Sequence, residues 1–495
     1  MKRSKFSLSN YKLLTMDMGK LIPISWFEAL PGDSIQQATS CLIRVSPLLA
    51  PVMHPVRVRL HHWFVPNRLI WEDWEDFITG GDDGNFTATT PRFELSAVAE
   101  GSLYDYIGVP VDAAYSPDLD VSALPIRAYN AIYNTHYRDQ DLVTELVNSV
   151  ASGADVTSNT AIQNVSWEKD YFTTARPWEQ KGDQVTIPLG EAAPVSGIGP
   201  INQTYVASNV DIYETDASGT RQYTSGRETG GTNQVFIEED PNSAGYPNIR
   251  ADLSAATGIP INDLRLALAI QRYKEARAQY GSRYVEYLRY LGVRSSDARL
   301  QNPEYLGGGR QVIQFSEVLQ TAEGTDPVGE MRGHGISAMR TNRYRRFFEE
   351  HGIVMTLMSV IPKTIYSQGL NRAFSREVKE DYFQKELQFI GEQEVLNKEL
   401  YTSHASPDDV FGYQARYDEY RNIPSSIAGE FRSVLDHWHY ARIFASDPAL
   451  NQSFIDAVPT KRVNASTNTD CLYVMANHSI QARRGLSRTA KAKTF

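Results

Sequence analysis

VRVRLHHWFVPNRLIWEDWEDFITGG, residues 56–81, changes its hydrophobic period halfway, and that change governs how the rest of the chain is read. In the first half Val56, Val58, Leu60 and His62 share one face at a two-residue repeat, the signature of a strand with one side turned inward. In the second half Leu69, Ile70, Trp74, Phe77 and Ile78 recur at helical spacing until Gly80-Gly81 ends them. A strand thus runs into a short amphipathic helix, and the alternating βαβ spacing of a doubly wound sheet or an α/β barrel is absent.

Outward from this stretch the chain continues in strands and turns. KLLTMDMGKLIPISWFEAL (12–30) holds short apolar runs and stops at the turn tripeptide Pro31-Gly32-Asp33, and SIQQATSCLIRVSPLL (34–49) alternates into a buried run. QVIQF (311–315), GIVMTLMSVIPKTIY (352–366), VTIPL (185–189) and LYVMANHSIQARR (472–484) read as further strands, and PEYLGGGR (303–310) as a turn. Helical patterns cover LPIRAYNAIYNTHYRDQDL (124–142) and a polar stretch around 376–400. A long helix from the N-cap candidate Asn262 to Gly292 would run on the order of 45 Å if Gly281 does not break it. Residues 191–260, rich in Gly, Ser, Thr, Asn and Asp, form a large surface insertion between a first part, 1–190, and a last part, 261–495. The predicted fold is an antiparallel β-sandwich or jelly roll with greatly extended, partly helical loops.

Composition narrows the function classes. With 41% hydrophobic and 22% charged residues in 495, the chain is globular, large enough for about three units at roughly 150 residues each. No apolar run reaches the length of a membrane span, and the N-terminus lacks the apolar core of a secretory signal. Cys41 and Cys471, alone, build neither a disulfide framework nor a thiol metal site. The net charge of −10 hides a segregation: Lys2, Arg3, Lys5 and Lys12 at one end, and Arg483, Arg484, Arg488, Lys491 and Lys493 at the other, stand free of acidic neighbours. Without these nine, the middle carries 40 basic against 59 acidic residues. Basic arms of this kind neutralise phosphates by releasing counterions, without reading bases, and the nine residues are the candidate nucleic-acid contacts. As ordinary solvated tails they would serve only solubility.

Catalytic and metal chemistry find little support. His437-Trp438-His439 would place two imidazoles on one face of a strand, but the Glu and third His of a cupin-like site are missing, so no metal site is assigned. His61 and His62 point to opposite faces of their strand. Gly307-Gly308-Gly309-Arg310 lacks the ending of a phosphate loop, and Gly80-Gly81-Asp82-Asp83-Gly84 offers too few oxygens for a calcium loop. No catalytic residue or cofactor is assigned. Arg343-Tyr344-Arg345-Arg346-Phe347-Phe348 interleaves cations and rings, the composition of a surface that stacks bases and holds phosphates. A sugar-binding or sugar-cleaving β-sandwich is the rival class, since aromatics and acids would suit it equally.

Several phrases, in order, resemble the major capsid proteins of small single-stranded DNA phages, the Microviridae, and most closely the gokushovirus type. They are FVPNRLIWEDWEDFITG, LPIRAYNAIYNTHYRDQDL, WEKDYFTTARPWEQKG, the segment from INDLRLALAIQRYKEARAQYG to NPEYLGGGRQ, FIGEQEVLNKELY, FGYQARYDEYR and LNQSFI. The resemblance implies an eight-stranded antiparallel jelly roll of viral capsid type that tiles a small icosahedral shell in the virion, assembled in the host cytoplasm. It implies as partners other copies of the chain, the packaged single-stranded DNA, and scaffolding, DNA-pilot and small basic DNA-binding proteins. The insertion at 191–260 matches the position of a surface protrusion that contacts the host. The likeness is weakest over SNYKLLTMDMGKLIPI and the basic C-terminus.

Overall fold

Ten strands make one large antiparallel sheet in the computed structural model, which describes residues 3–186, 261–281, 283–322 and 327–487 together with the backbone of short strand pieces between 195 and 251. They are β1 (Ser4–Ser7), β2 (Asn10–Met16), β3 (Ile22–Ala29), β4 (Ser34–Val45), β5 (Val56–Pro66), β6 (Glu304–Leu319), β7 (Met331–Arg340), β8 (Tyr344–Phe347), β9 (Gly352–Pro362) and β10 (Leu472–Arg484). The hydrogen-bonded order is β1-β10-β4-β7-β6-β5-β9-β3, with β2 also on β10 and β8 also on β4. β6 pairs with β5 over its first ten residues and with β7 over its last six, so it carries the sheet round a corner and folds it into two layers. This is the antiparallel, curled sheet of a jelly roll. Two compact units are present, Met1–Glu179 with Ala278–Phe495, and Gln180–Arg277.

The two layers face each other across an apolar core. Met16, Ile43, Leu472 and Val474 come from one layer, and Ile24, Val58, Leu60, Met358 and Val360 from the other. The alternation read in β5, β4 and β10 is thus the alternation of this core; in β10 even-numbered residues are buried and odd-numbered ones outward down to Arg483. β9 is buried along its whole length, because its second face is covered as well. Ile353, Met355, Leu357 and Ile361 pack there with Trp63 and Val65 of β5 against a cover built on α1 (Leu124–Ile132), with Ile126, Tyr129 and Ile132, and on Phe93, Leu103 and Trp167. The cover is fastened by Arg127, whose Nε lies 2.8 Å from Asp155 in an ion pair with both side chains at most 1% exposed. The same guanidinium donates to the carbonyls of Ile70 and Ala151.

Between the layers runs a connected polar network. Tyr344 donates to Gln37 at 2.7 Å, Gln37 to the hydroxyl of Thr356, and His62 bridges Thr356 at 2.9 Å and Thr341 at 3.2 Å. The Thr341 hydroxyl accepts from the Thr39 amide, and the Thr39 hydroxyl meets His478 at 3.0 Å. Each of these buried side chains thereby keeps a polar partner inside the core.

Several sequence expectations are corrected. The glycine triplet is not a turn: Gly307–Gly309 lie inside β6, and a Cβ on Gly308 would sit 2.1 Å from the carbonyl of Leu60, so small residues let two backbones close up. The long helix is broken: α2 (Ile261–Tyr280) ends before Gly281, which takes φ +92°, and α3 (Tyr284–Tyr290) restarts. The polar helix at 376–400 is absent except for Asn397–Leu400. Two 3₁₀ turns, Lys379–Asp381 and Lys385–Phe389, and a short strand, Glu392–Leu396, stand there instead, and the Tyr417 hydroxyl accepts from the Gln384 amide, which a helix would need for its own bonds. Most of VTIPL and nearly all of 191–260 lie outside the described residues.

Candidate nucleic-acid interface

The two basic ends of the sequence meet in the sheet. β1 pairs antiparallel with the end of β10, setting Ser4 opposite Arg484 and Lys5 opposite Arg483. These parts of the ends are therefore strands, not the loose arms that composition suggests. Their cations divide by face. Lys5 and Arg483 are exposed, side by side on the outer face. Arg484, one residue on, turns inward: its Nε lies 2.9 Å from the fully buried Asp33, and it donates to the carbonyl of Glu28. Asp33 also accepts from the amide of Leu30, so Arg484 neutralises the carboxylate that closes the Pro31-Gly32 turn.

Lys12 is likewise held by the protein. It donates to the carbonyls of Tyr106 and Pro23, and burial pulls its ammonium down to about 8 against the opposing pull of the Asp105 carboxylate. Arg3 lies over the ring of Phe347 at 5.0 Å. That contact brings the run 343–348 to the same corner, since β8 lines up on β4 with Phe347 opposite Ser34, which is itself opposite Arg483. Lys2, Arg488, Lys491 and Lys493 lie outside the described residues. Of the nine candidate cations, the structure brings Arg3, Lys5 and Arg483 together at an open surface, adds Arg343 and Arg345 to them, and gives Lys12 and Arg484 to the fold.

The histidines are structural. Asp436–Trp438 is a 3₁₀ turn rather than a strand, so His437 and His439 do not share a face, and His439 bonds to the carbonyl of Phe431 at 2.8 Å. His61 meets the hydroxyl of Tyr137 at 2.6 Å under the cover, while His62 joins the core network on the other face of β5. Among the described residues no group of three or more His, Cys, Asp and Glu could hold a metal ion, and no helix is long and apolar enough to cross a membrane.

Comparison with known proteins gives this geometry its setting. A family model described as capsid protein (F protein) of phages matches residues 1–493. Capsid protein VP1 of Bdellovibrio phage phiMH2K is 35% identical over 491 residues, covering 94% of this chain and 90% of that protein. Capsid protein VP1 of Chlamydia phage 1 is 33% identical, covering 92% of this chain and 89% of that protein. Capsid protein VP1 of Spiroplasma virus 4 is 31% identical, covering 95% and 92%. The sugar-binding alternative has no support in these matches. A curled antiparallel sheet, a match that runs from end to end, and three capsid relatives above 30% identity place the chain in the capsid protein (F protein) family of the Microviridae.

Proposed function

We propose that this capsid protein, a component of the virion, builds a T=1 icosahedral shell of gokushovirus type around a packaged single-stranded DNA genome and has no catalytic activity of its own. The reading is carried by the family match over residues 1–493. Each subunit then buries several different surfaces against its symmetry mates, a total well above the roughly 1,600 Å² of an ordinary complex. The acidic bulk of the chain keeps free subunits apart until those contacts form, and the basic ends hold the strand by charge. Nine terminal cations are too few for a genome, so small basic DNA-binding proteins share the task, and scaffolding and DNA-pilot proteins assist assembly in the host cytoplasm. The insertion at 191–260 contacts a host-surface receptor.

Electron microscopy and sedimentation of the chain, expressed alone and with the other phage proteins, test this. Closed shells of uniform diameter are expected; a small oligomer under every condition overturns the reading.

A further inference from the structure

The layer formed by β1, β2, β4, β7, β8 and β10 contains nine Lys and Arg and not one Asp or Glu. An even spread of the chain's 59 acids would put about six there, and the net charge of the whole is −10. Strands are poor in acids in general, which lowers that expectation, but the other four strands of the sheet, of similar total length, still hold three. The remaining strands, β3, β5, β6 and β9, hold three basic and three acidic residues, of which Glu317 lies in the half of β6 that pairs with β7, and the guanidinium groups of Arg57 and Arg59 both pair with Glu168.

Register places the charges on one face. Read across the strands, the outward rows include Lys5-Arg483-Ser34-Phe347, Ser7-Gln481-Gln36-Arg345, Tyr11-Asn477-Ser40-Arg340 and Thr15-Tyr473-Arg44-Ile336, with the apolar row Leu13-Met475-Leu42-Ala338 between the last two; at the edge Thr15 donates to the loop carboxylate of Asp470 at 2.6 Å. Among the described residues no carboxylate lies within ion-pair distance of Lys5, Arg44, Arg340, Arg345 or Arg483, all exposed. Lys5 and Arg483 stand directly opposite each other, an arrangement that costs a sheet stability unless something else neutralises it. Rings lie between the cations: Tyr11 is 72% exposed, Phe347 44% and Tyr473 42%. With strands about 4.8 Å apart and about 3.3 Å per residue, the face measures on the order of 40 Å by 15 Å.

We propose that this outer face, whose strands carry cations and no acid, is the platform on which single-stranded nucleic acid lies, and hence the side of the subunit that faces the shell's interior. The inference rests on the reading that the shell encloses a single-stranded genome. Unpaired cations supply phosphate contacts and exposed rings supply stacking for unpaired bases, a combination that tolerates any sequence. A sheet four strands wide is too broad for the major groove of a duplex, which admits a helix or a two-stranded ribbon. A small basic peptide would meet charge of its own sign.

The test uses the full-length chain as unassembled subunits, with a fluorescein-labelled oligothymidylate titrated over a series of salt concentrations. Replacing four outward cations together, R44Q, R340Q, R345Q and R483Q, is expected to lower the slope of log affinity against log salt by about 3, at about 0.7 per lost contact. The matching lysine variant is expected to keep the slope, and Tyr473→Ala to weaken binding without changing it. If the glutamine variant fails to fold, the lysine and Tyr473→Ala variants still carry the comparison. A wild-type slope in the glutamine variant overturns the inference. So does a variant that binds the oligonucleotide normally but no longer forms shells, which would make the face a contact with an acidic neighbouring subunit. Either result leaves the capsid reading intact, whereas wild-type chain that never forms shells removes the reading beneath it.

Discussion

The two layers of the sheet share a core but differ in what lies on their backs. Behind β5 and β9 sit α1, Trp167 and the loops pinned by Arg127 and Asp155, so that β9 has no exposed residue at all. Behind β4 and β10 the described residues supply no such cover, and Leu13 and Met475 stand 69% and 43% exposed in a row with Leu42 and Ala338. A strand covered on both faces contributes to the stability of the subunit; one covered on a single face keeps its other side for a partner. Burial, not strand sequence alone, separates the structural half of this sheet from the half available for binding.

That comparison can be broken or sharpened by experiment. Arg127→Ala leaves Asp155 charged and buried without its partner, and a loss of about 3–5 kcal/mol in urea unfolding is expected; a loss under about 1 kcal/mol would mean the cover is not fastened there. Leu357→Ala, behind β9, should cost about 3 kcal/mol by the same assay. The core network gives a pH signature. Burial, aided by His478 and His61, pushes His62 down to about 3, while an unfolded imidazole titrates near 6.5. Stability is therefore intact above about pH 6.5 and falls as the unfolded chain takes up the proton, by about 2 kcal/mol for His62 alone between about pH 7 and 5. Thermal melts across that range should show the decline, and His62→Gln should make it shallower by about that share, since burial pushes His54, His61 and His478 down to about 4 as well. Smallest of all, Leu13→Ser on the open face should move the stability of the free subunit by less than about 0.5 kcal/mol. A larger loss would show that the back of β10 is covered within the chain after all.

Much of the sheet is legible in the sequence because its strands alternate cleanly. Val56 to His62, Ile35 to Val45 and Leu472 to Ile480 show their buried faces at period two. The glycine triplet misleads because glycine marks both turns and close backbone approach, and only the partner strand's Leu60 carbonyl tells them apart. The 376–400 stretch misleads because Tyr417, which takes up an amide there, comes from a segment beyond it in the chain. As for the candidate site, the basic ends are visible as composition. Their division into outward Lys5 and Arg483 and inward Lys12 and Arg484 depends on strand parity and on Asp33, and Arg44 and Arg340 give no local signal. The one usable clue is an absence, strands without acids.

The place of β10 also times the sheet's completion. Of the ten strands it is the last to leave the ribosome, yet it lies between β4 and the first two strands of the chain, pairing with β4 through twelve residues and with β2 through seven. Until β10 is made, β1 and β2 have no strand to join and β4 lacks one of its neighbours. A chain that stops at Cys471, short of the thirteen residues of β10, therefore cannot present the open face, and each subunit that does present it carries proof of having been translated through Arg484.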